Sequence, residues 1–173
     1  MNEHIEYLLL YSREKRLVCI SSADIWYIEA DADYSYIYLI DKGDAIKVSK
    51  QLHVMKELIN KWFPSNCKYY YRVGRSLIIN VKHLDYISTE DKKIFLSDRR
   101  SEVYLNGYKQ GYKDGYDTGY SDGKSGKRPF VSSVLYPANR EIKVSEKALS
   151  EFRKEIEGRV NEKTENNTFE KVK

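Results

Sequence analysis

Cysteine and histidine are scarce in this 173-residue chain, which has two of the first and three of the second. Cys19 and Cys67 have no second Cys or His at a zinc-ligand spacing, and their apolar surroundings predict two reduced core residues. His4, His53 and His83 fall on separate stretches without a ligand partner at a recognised interval, so no metal is expected. Nucleophile elbow, phosphate loop and dinucleotide fingerprint are all missing. The expectation is a protein without cofactor, small-molecule substrate or enzymatic activity. Met1 opens onto Asn2, Glu3 and His4 rather than a basic-then-apolar leader, and every apolar run is too short to span a bilayer. That predicts a cytoplasmic location and no membrane partner. A strong excess of one charge is lacking too: 30 Lys and Arg against 26 Asp and Glu leave +4, compatible with a nucleic-acid partner without implying one.

What is present is strand composition. From Glu6 to Ile40 the segments YLLLY, RLVCI, IWYIEA and YSYIYLI are rich in β-branched and aromatic residues with short polar breaks. Tyr34, Tyr36 and Tyr38 alternate with Ser35, Ile37 and Leu39, giving that strand two different faces. Asp41 to Asp44 is a turn by composition, so Ala45 to Val48 returns as a hairpin partner. Ser49 is the expected cap of a helix with apolar residues Leu52, Met55, Leu58, Ile59 and Trp62, closed by Pro64. Two short strands meeting at Asn80 to Lys82 follow, then KKIFLSD. After a change of character, REIKV resumes strand composition, and Ser145 opens a second helix carrying Ala148, Leu149, Phe152 and Ile156. Residues 156–173 have little to bury and read as a polar, disordered tail.

The change of character is an inserted repeat. Tyrosines recur at 104, 108, 112, 116 and 120, and glycines at 107, 111, 115, 119 and 123. On an α-helix a period of four drifts about 40° per repeat, so glycine and tyrosine stripes would wind slowly around the axis and permit close approach of a partner helix. Alone, five glycines cost such a helix about 4–5 kcal/mol relative to alanine. A paired helix and a flexible Gly-Tyr loop both fit. Lys124 to Arg128 add a short basic patch.

The stretch YYRVGRSLIIN, Tyr70 to Asn80, resembles the signature of LytTR-type DNA-binding domains of bacterial transcription regulators, where an aromatic, Arg, a small apolar residue, His, Arg and Ser lead into an apolar strand ending in Asn. DIWYIEADADYSYIYLIDKG, VSKQLHVMKELINKWF and VSEKALSEF are similar to the family's strand-loop-strand opening, first helix and closing turn and helix. The resemblance runs from about Glu6 to Phe152 and implies a mainly β fold with small helices: short antiparallel sheets that grip successive major-groove faces of duplex DNA through loops. It also implies contacts. Arg75 matches a base-reading position, where a guanidinium can fork onto guanine O6 and N7. Lys147 matches a second contact, and the loop Asp31 to Ser35 a third, at Asp33 or Tyr34. Arg72 is a further candidate, with Lys82 and Lys50 for phosphates, while Ser76 and Asn80 read as turn residues holding backbone through their side chains. Gly74 stands where the family usually has His, and Glu146 where many members have Arg.

The domain therefore reads as residues 1–155, interrupted by an insertion at 101–140 that carries the Gly-Tyr repeat at 104–126. Many family members have a receiver or membrane domain ahead, whereas strand composition here begins by Glu6, so a regulator lacking a receiver domain is expected. The leading reading is a sequence-specific duplex-DNA-binding transcription regulator. The other is a protein-interaction module of the same fold that has lost specific reading, to which Gly74, Glu146 and the insert point. In either, residues 104–126 are the expected site of homodimer or partner contact.

Overall fold

The computed structural model of the chain describes residues 4–40, 42–98 and 139–169, with side chains as far as Asn161. Among these described residues, ten strands and two α-helices are arranged around a central five-stranded antiparallel sheet. Its order is β5 (Ile46–Val48), β4 (Tyr34–Leu39), β3 (Ile25–Asp31), β7 (Leu77–Asn80), β6 (Tyr70–Val73). Both faces of this sheet are covered, which explains why IWYI and LIIN are unbroken runs rather than alternations. One face, with Ile28, Ile37 and Ile78, packs under α1 (Leu52–Trp62) and the hairpin β1 (Tyr7–Tyr11) and β2 (Leu17–Ser21). The other face, with Tyr27, Val73 and Ile79, packs against Ile94, Leu96, Leu149 and Phe152. These four come from the three-stranded sheet β8 (Leu84–Ser88), β9 (Lys93–Ser97), β10 (Asn139–Lys143) and from α2 (Glu146–Phe169).

The chain leaves the small sheet after Ser97 and re-enters it at Asn139, where β10 pairs antiparallel with β9. Asn139 and Arg140, assigned by sequence to the insertion, are thus part of the sheet. Arg140 explains how β10 is held: its Nε donates to the Tyr27 hydroxyl at 3.2 Å, and its guanidinium lies 5.2 Å from the Tyr38 ring. Tyr27 and Tyr38 stack at 4.3 Å, and burial, followed by the neighbouring Tyr27 and Glu29, pushes the Tyr38 hydroxyl up to about 12. The Gly-Tyr repeat and the basic patch lie outside the described residues.

Three local expectations are corrected. The residue capping α1 is Gln51, not Ser49, and its side chain makes no capping hydrogen bond; burial of Leu52, Met55 and Ile59 sets where the helix begins. Cys19 is exposed and Cys67 half-buried, because Cys19 falls on the outward face of β2; both are free thiols. The tail read as disordered from residue 156 is helical through Phe169. Gly158 costs the helix about 1 kcal/mol, but the next residue holds it: Arg159 Nη1 donates to the Lys68 carbonyl at 3.1 Å, and its guanidinium covers the Tyr71 ring at 4.4 Å. Ser145 does cap α2, its Oγ accepting from Ala148 N at 3.2 Å. Among the described residues no helix is long and apolar enough to cross a membrane.

Candidate nucleic-acid interface

Strand register decides which loops meet. Glu29 of β3 is opposite Leu77 of β7, and Ala30 N donates to Ser76 O at 2.7 Å, so the β3–β4 and β6–β7 turns emerge at the same end of the central sheet. The other hairpins converge there. In the β1–β2 turn Arg13 N donates to Lys47 O of β5 at 2.8 Å, and in the β8–β9 turn Lys92 O accepts from Val144 N, just ahead of α2. Every left-handed residue among those described falls in these four turns: Lys15 at φ 60°, Ala32 at 52°, Gly74 at 61° and Lys92 at 55°. Strained backbone of this kind collects where loops are shaped for a task rather than for stability.

The β6–β7 turn is the centre of the arrangement. Val73 and Leu77 close the hairpin and leave Gly74, Arg75 and Ser76 exposed at its tip. Arg72 Nη2 reaches over the turn to the Arg75 carbonyl at 3.4 Å, while the Arg75 side chain itself is exposed. Ser76 holds the turn through its main-chain carbonyl, the acceptor for Ala30. Beside the turn, the first residues of α2 complete a groove of about 700 Å³ whose charged lining is Arg72, Arg75, Lys147, Glu151 and Glu155. Lys147 is highly exposed, and its 4.0 Å pair with Glu151 is too long and solvated to hold it back from an anion. Glu146 sits in the first turn of α2, where a carboxylate favours the helix dipole, and pairs with Lys92 at 3.2 Å.

Gly74 has a backbone reason to be glycine. Its φ is left-handed, and a Cβ there would lie 3.0 Å from the Ala148 Cβ. A histidine in this turn would be strained and would push α2 away, so this chain gives up a side chain for close turn-helix packing.

Asp33 and Tyr34 reach the same end through the β3–β4 turn. Asp33 is exposed, and its Oδ1 accepts from Gln51 Nε2 at 2.9 Å. Tyr34 is overlain by two cations that the sequence reading passed over, Lys47 at 4.2 Å and Arg13 at 5.1 Å. Lys47 also donates to the Tyr36 hydroxyl at 2.8 Å. Their one sequence signal is the basic run Arg13 to Arg16 between two strands; Lys47 becomes visible only once β5 is paired with β4. Lys50 follows β5 at this end, its carbonyl accepting from Ser35 Oγ.

Lys82 is elsewhere. It follows Asn80 at the opposite end of β7, where its Nζ donates to Asn66 Oδ1 at 3.2 Å and covers the Tyr69 ring at 4.6 Å. Its neighbourhood is a buried polar knot. Asn80 Nδ2 donates to Ile25 O at 2.9 Å and its Oδ1 accepts from Lys82 N, so Asn80 has the structural role expected of it. Glu6 accepts from Ser65 N, Asn66 N and Asn66 Nδ2 at 2.9–3.0 Å. Burial works to raise the Glu6 pKa, but these donors outweigh it and hold the carboxyl below its ordinary value. Of the seven sequence-derived candidates, Asp33, Tyr34, Arg72, Gly74, Arg75 and Lys147 share one end and Lys82 does not.

Residues 15–109 match the family model of the LytTr DNA-binding domain, which covers the central sheet, α1, β8 and β9 and stops short of β10 and α2. Among solved structures, the LytTr DNA-binding domain of a methyl-accepting/DNA response regulator from Bacillus cereus is similar at a TM-score of 0.40 and 18% identity, over 61% of this chain and 94% of that one. No curated protein matches the chain. With more than half of its length matched by that family model, the chain belongs to the LytTR family of DNA-binding domains.

Proposed function

We propose that the protein is a sequence-specific transcription regulator that binds duplex DNA through the shared end of its sheets. The observation that carries this reading is the meeting of an exposed Arg75, its turn spanned by Arg72, with Lys147 across one groove, flanked by the β3–β4 turn with its Tyr34 and by Arg13 and Lys47. Arg75 reads guanine through its paired donors, and Lys147, Arg13, Lys47 and Lys50 meet phosphates. Asp33 accepts from a cytosine amine or, held by Gln51, shapes the turn for Tyr34. Lys82 has no part in the contact. The insertion, residues 101–138 once Asn139 and Arg140 are counted with β10, then interrupts the domain at the β9–β10 connection, and a pair of subunits would meet repeated half-sites.

The test is a comparison of Arg75→Ala, Lys147→Ala and Lys82→Ala by fluorescence anisotropy on duplexes selected by the wild-type chain. Arg75→Ala is expected to cost about 1–3 kcal/mol and to relax preference at one base pair. Lys147→Ala weakens all duplexes alike and lowers the salt slope by about one. An Arg75 variant with unchanged base preference overturns the assignment.

A further inference from the structure

The β1–β2 hairpin has a second surface, remote in kind from the DNA-facing end. Its inner residues Leu8, Leu10 and Ile20 are buried against α1 and the central sheet. Its outer residues are also apolar. Of the eight large apolar side chains exposed among the described residues, five belong here: Ile5, Tyr7, Leu9, Tyr11 and Leu17, at 45–65% exposure. Register makes them one face, since Tyr7 is opposite Ser21, Leu9 opposite Cys19 and Tyr11 opposite Leu17. No charged residue interrupts these rows. An alternation that buries one face of a two-stranded ribbon ordinarily leaves polar residues on the other, so this outer face calls for an occupant.

We propose that it pairs with the same face of a second copy of the chain. Three observations favour a copy over a foreign partner. The first is area: at roughly 200 Å² per large residue the exposed fractions amount to about 500 Å² on one copy, so two such faces bury about 1,000 Å², the lower limit of a specific interface. The second is the absence of charge, which removes like-charge repulsion when the face meets itself and offers nothing to orient a charged partner. The third is symmetry. A two-fold axis along the hairpin sets Tyr11 of one copy against Leu17 of the other and leaves both β1–β2 turns, with Arg13, pointing the same way. The inference goes beyond the DNA-binding reading and does not depend on it.

The experiment is sedimentation of the full 173-residue chain across the micromolar range, compared with Leu9→Asp, Leu17→Asp and a deletion of residues 104–126. Circular dichroism and urea midpoints check that each variant folds. Because a charged variant can also loosen the hairpin, association of the unaltered face is probed separately by a short bis-maleimide through exposed Cys19 in a Cys67→Ser background. Expected are a concentration-dependent dimer, a Cys19-linked species, and dissociation raised at least about tenfold by either Asp variant while the deletion leaves the dimer intact. Four results overturn the proposal. These are a monomer throughout with no linked species, a dimer indifferent to both Asp variants, a dimer lost on deletion of 104–126, and a dimer that forms only after that deletion. The third assigns association to the Gly-Tyr repeat; the last makes the repeat the occupant of the face.

Discussion

Replacing Gly74 with alanine tests whether the β6–β7 turn and α2 are built to touch. Alanine at φ 61° carries a left-handed penalty of about 1–2 kcal/mol. Its Cβ would also meet the Ala148 Cβ at 3.0 Å, well inside the 3.5–4.0 Å optimum for carbon pairs. Ala148 is buried on the first turn of α2, so relief requires the helix end to shift. The sum is about 2 kcal/mol, or a fall of about 4–8 °C in Tm for a domain of this size. Urea unfolding measures it, and Ala148→Gly separates its two parts. That change alone costs about 1 kcal/mol as a helix glycine. Combined with Gly74→Ala it removes the contact but not the backbone strain, so the pair should cost about 0.5–1 kcal/mol less than the sum of the singles. DNA affinity should fall in Gly74→Ala, because the groove between Arg75 and Lys147 opens, and recover in part in the double variant. Gly74→His should destabilise at least as much and sharpen nothing. A Gly74→Ala protein as stable as wild type, with an additive double variant, would refute the packing argument.

Arg159→Ala should fray α2 beyond Ile156, losing the Lys68 and Tyr71 contacts at a cost of about 1 kcal/mol. Hydrogen exchange should then quicken in the second half of the helix while DNA affinity holds. Glu6 links stability to acid: its lowered pKa means that its contribution is complete above its ordinary value of 4.5 and is lost as pH falls through the lower folded value. Urea midpoints of wild type and Glu6→Gln should therefore differ at neutral pH and converge towards pH 3; parallel profiles would exclude Glu6. Arg13→Ala should weaken all duplexes and reduce the salt slope with the melting temperature little changed, whereas an unaltered slope would remove the β1–β2 turn from the contact.

Much of the fold could be read because the central strands announce themselves. IWYI, YSYIYL and LIIN are β-branched and aromatic runs bounded by turns, and α1 repeats its apolar residues at helical steps. What escaped the reading depends on contacts distant in sequence. Cys19 looked like core because its neighbours are apolar, yet period-two alternation set it outward. The helix past Gly158 is stabilised by Lys68, in the turn before β6, and by Tyr71 of β6, some ninety residues earlier, which no local propensity reveals. Lys82, just past the family signature, reads by sequence as a phosphate contact, although four strand residues carry it to the other end of the sheet. Gly74 looked like a lost contact until its φ and the distance to Ala148 were known. Arg13 and Lys47, separated by more than thirty residues, meet over Tyr34 only when β1–β2, β4 and β5 are assembled.

The central claim is that this end of the molecule reads DNA sequence. Selection of bound duplexes from a random pool by the purified full-length chain, at near-physiological salt, tests it most directly. The account predicts a recovered pair of short repeats about one helical turn apart, each with a guanine whose importance disappears in Arg75→Ala. Recovery of no motif, with only weak and salt-sensitive binding, would contradict it and favour an interaction module that keeps the fold without the reading.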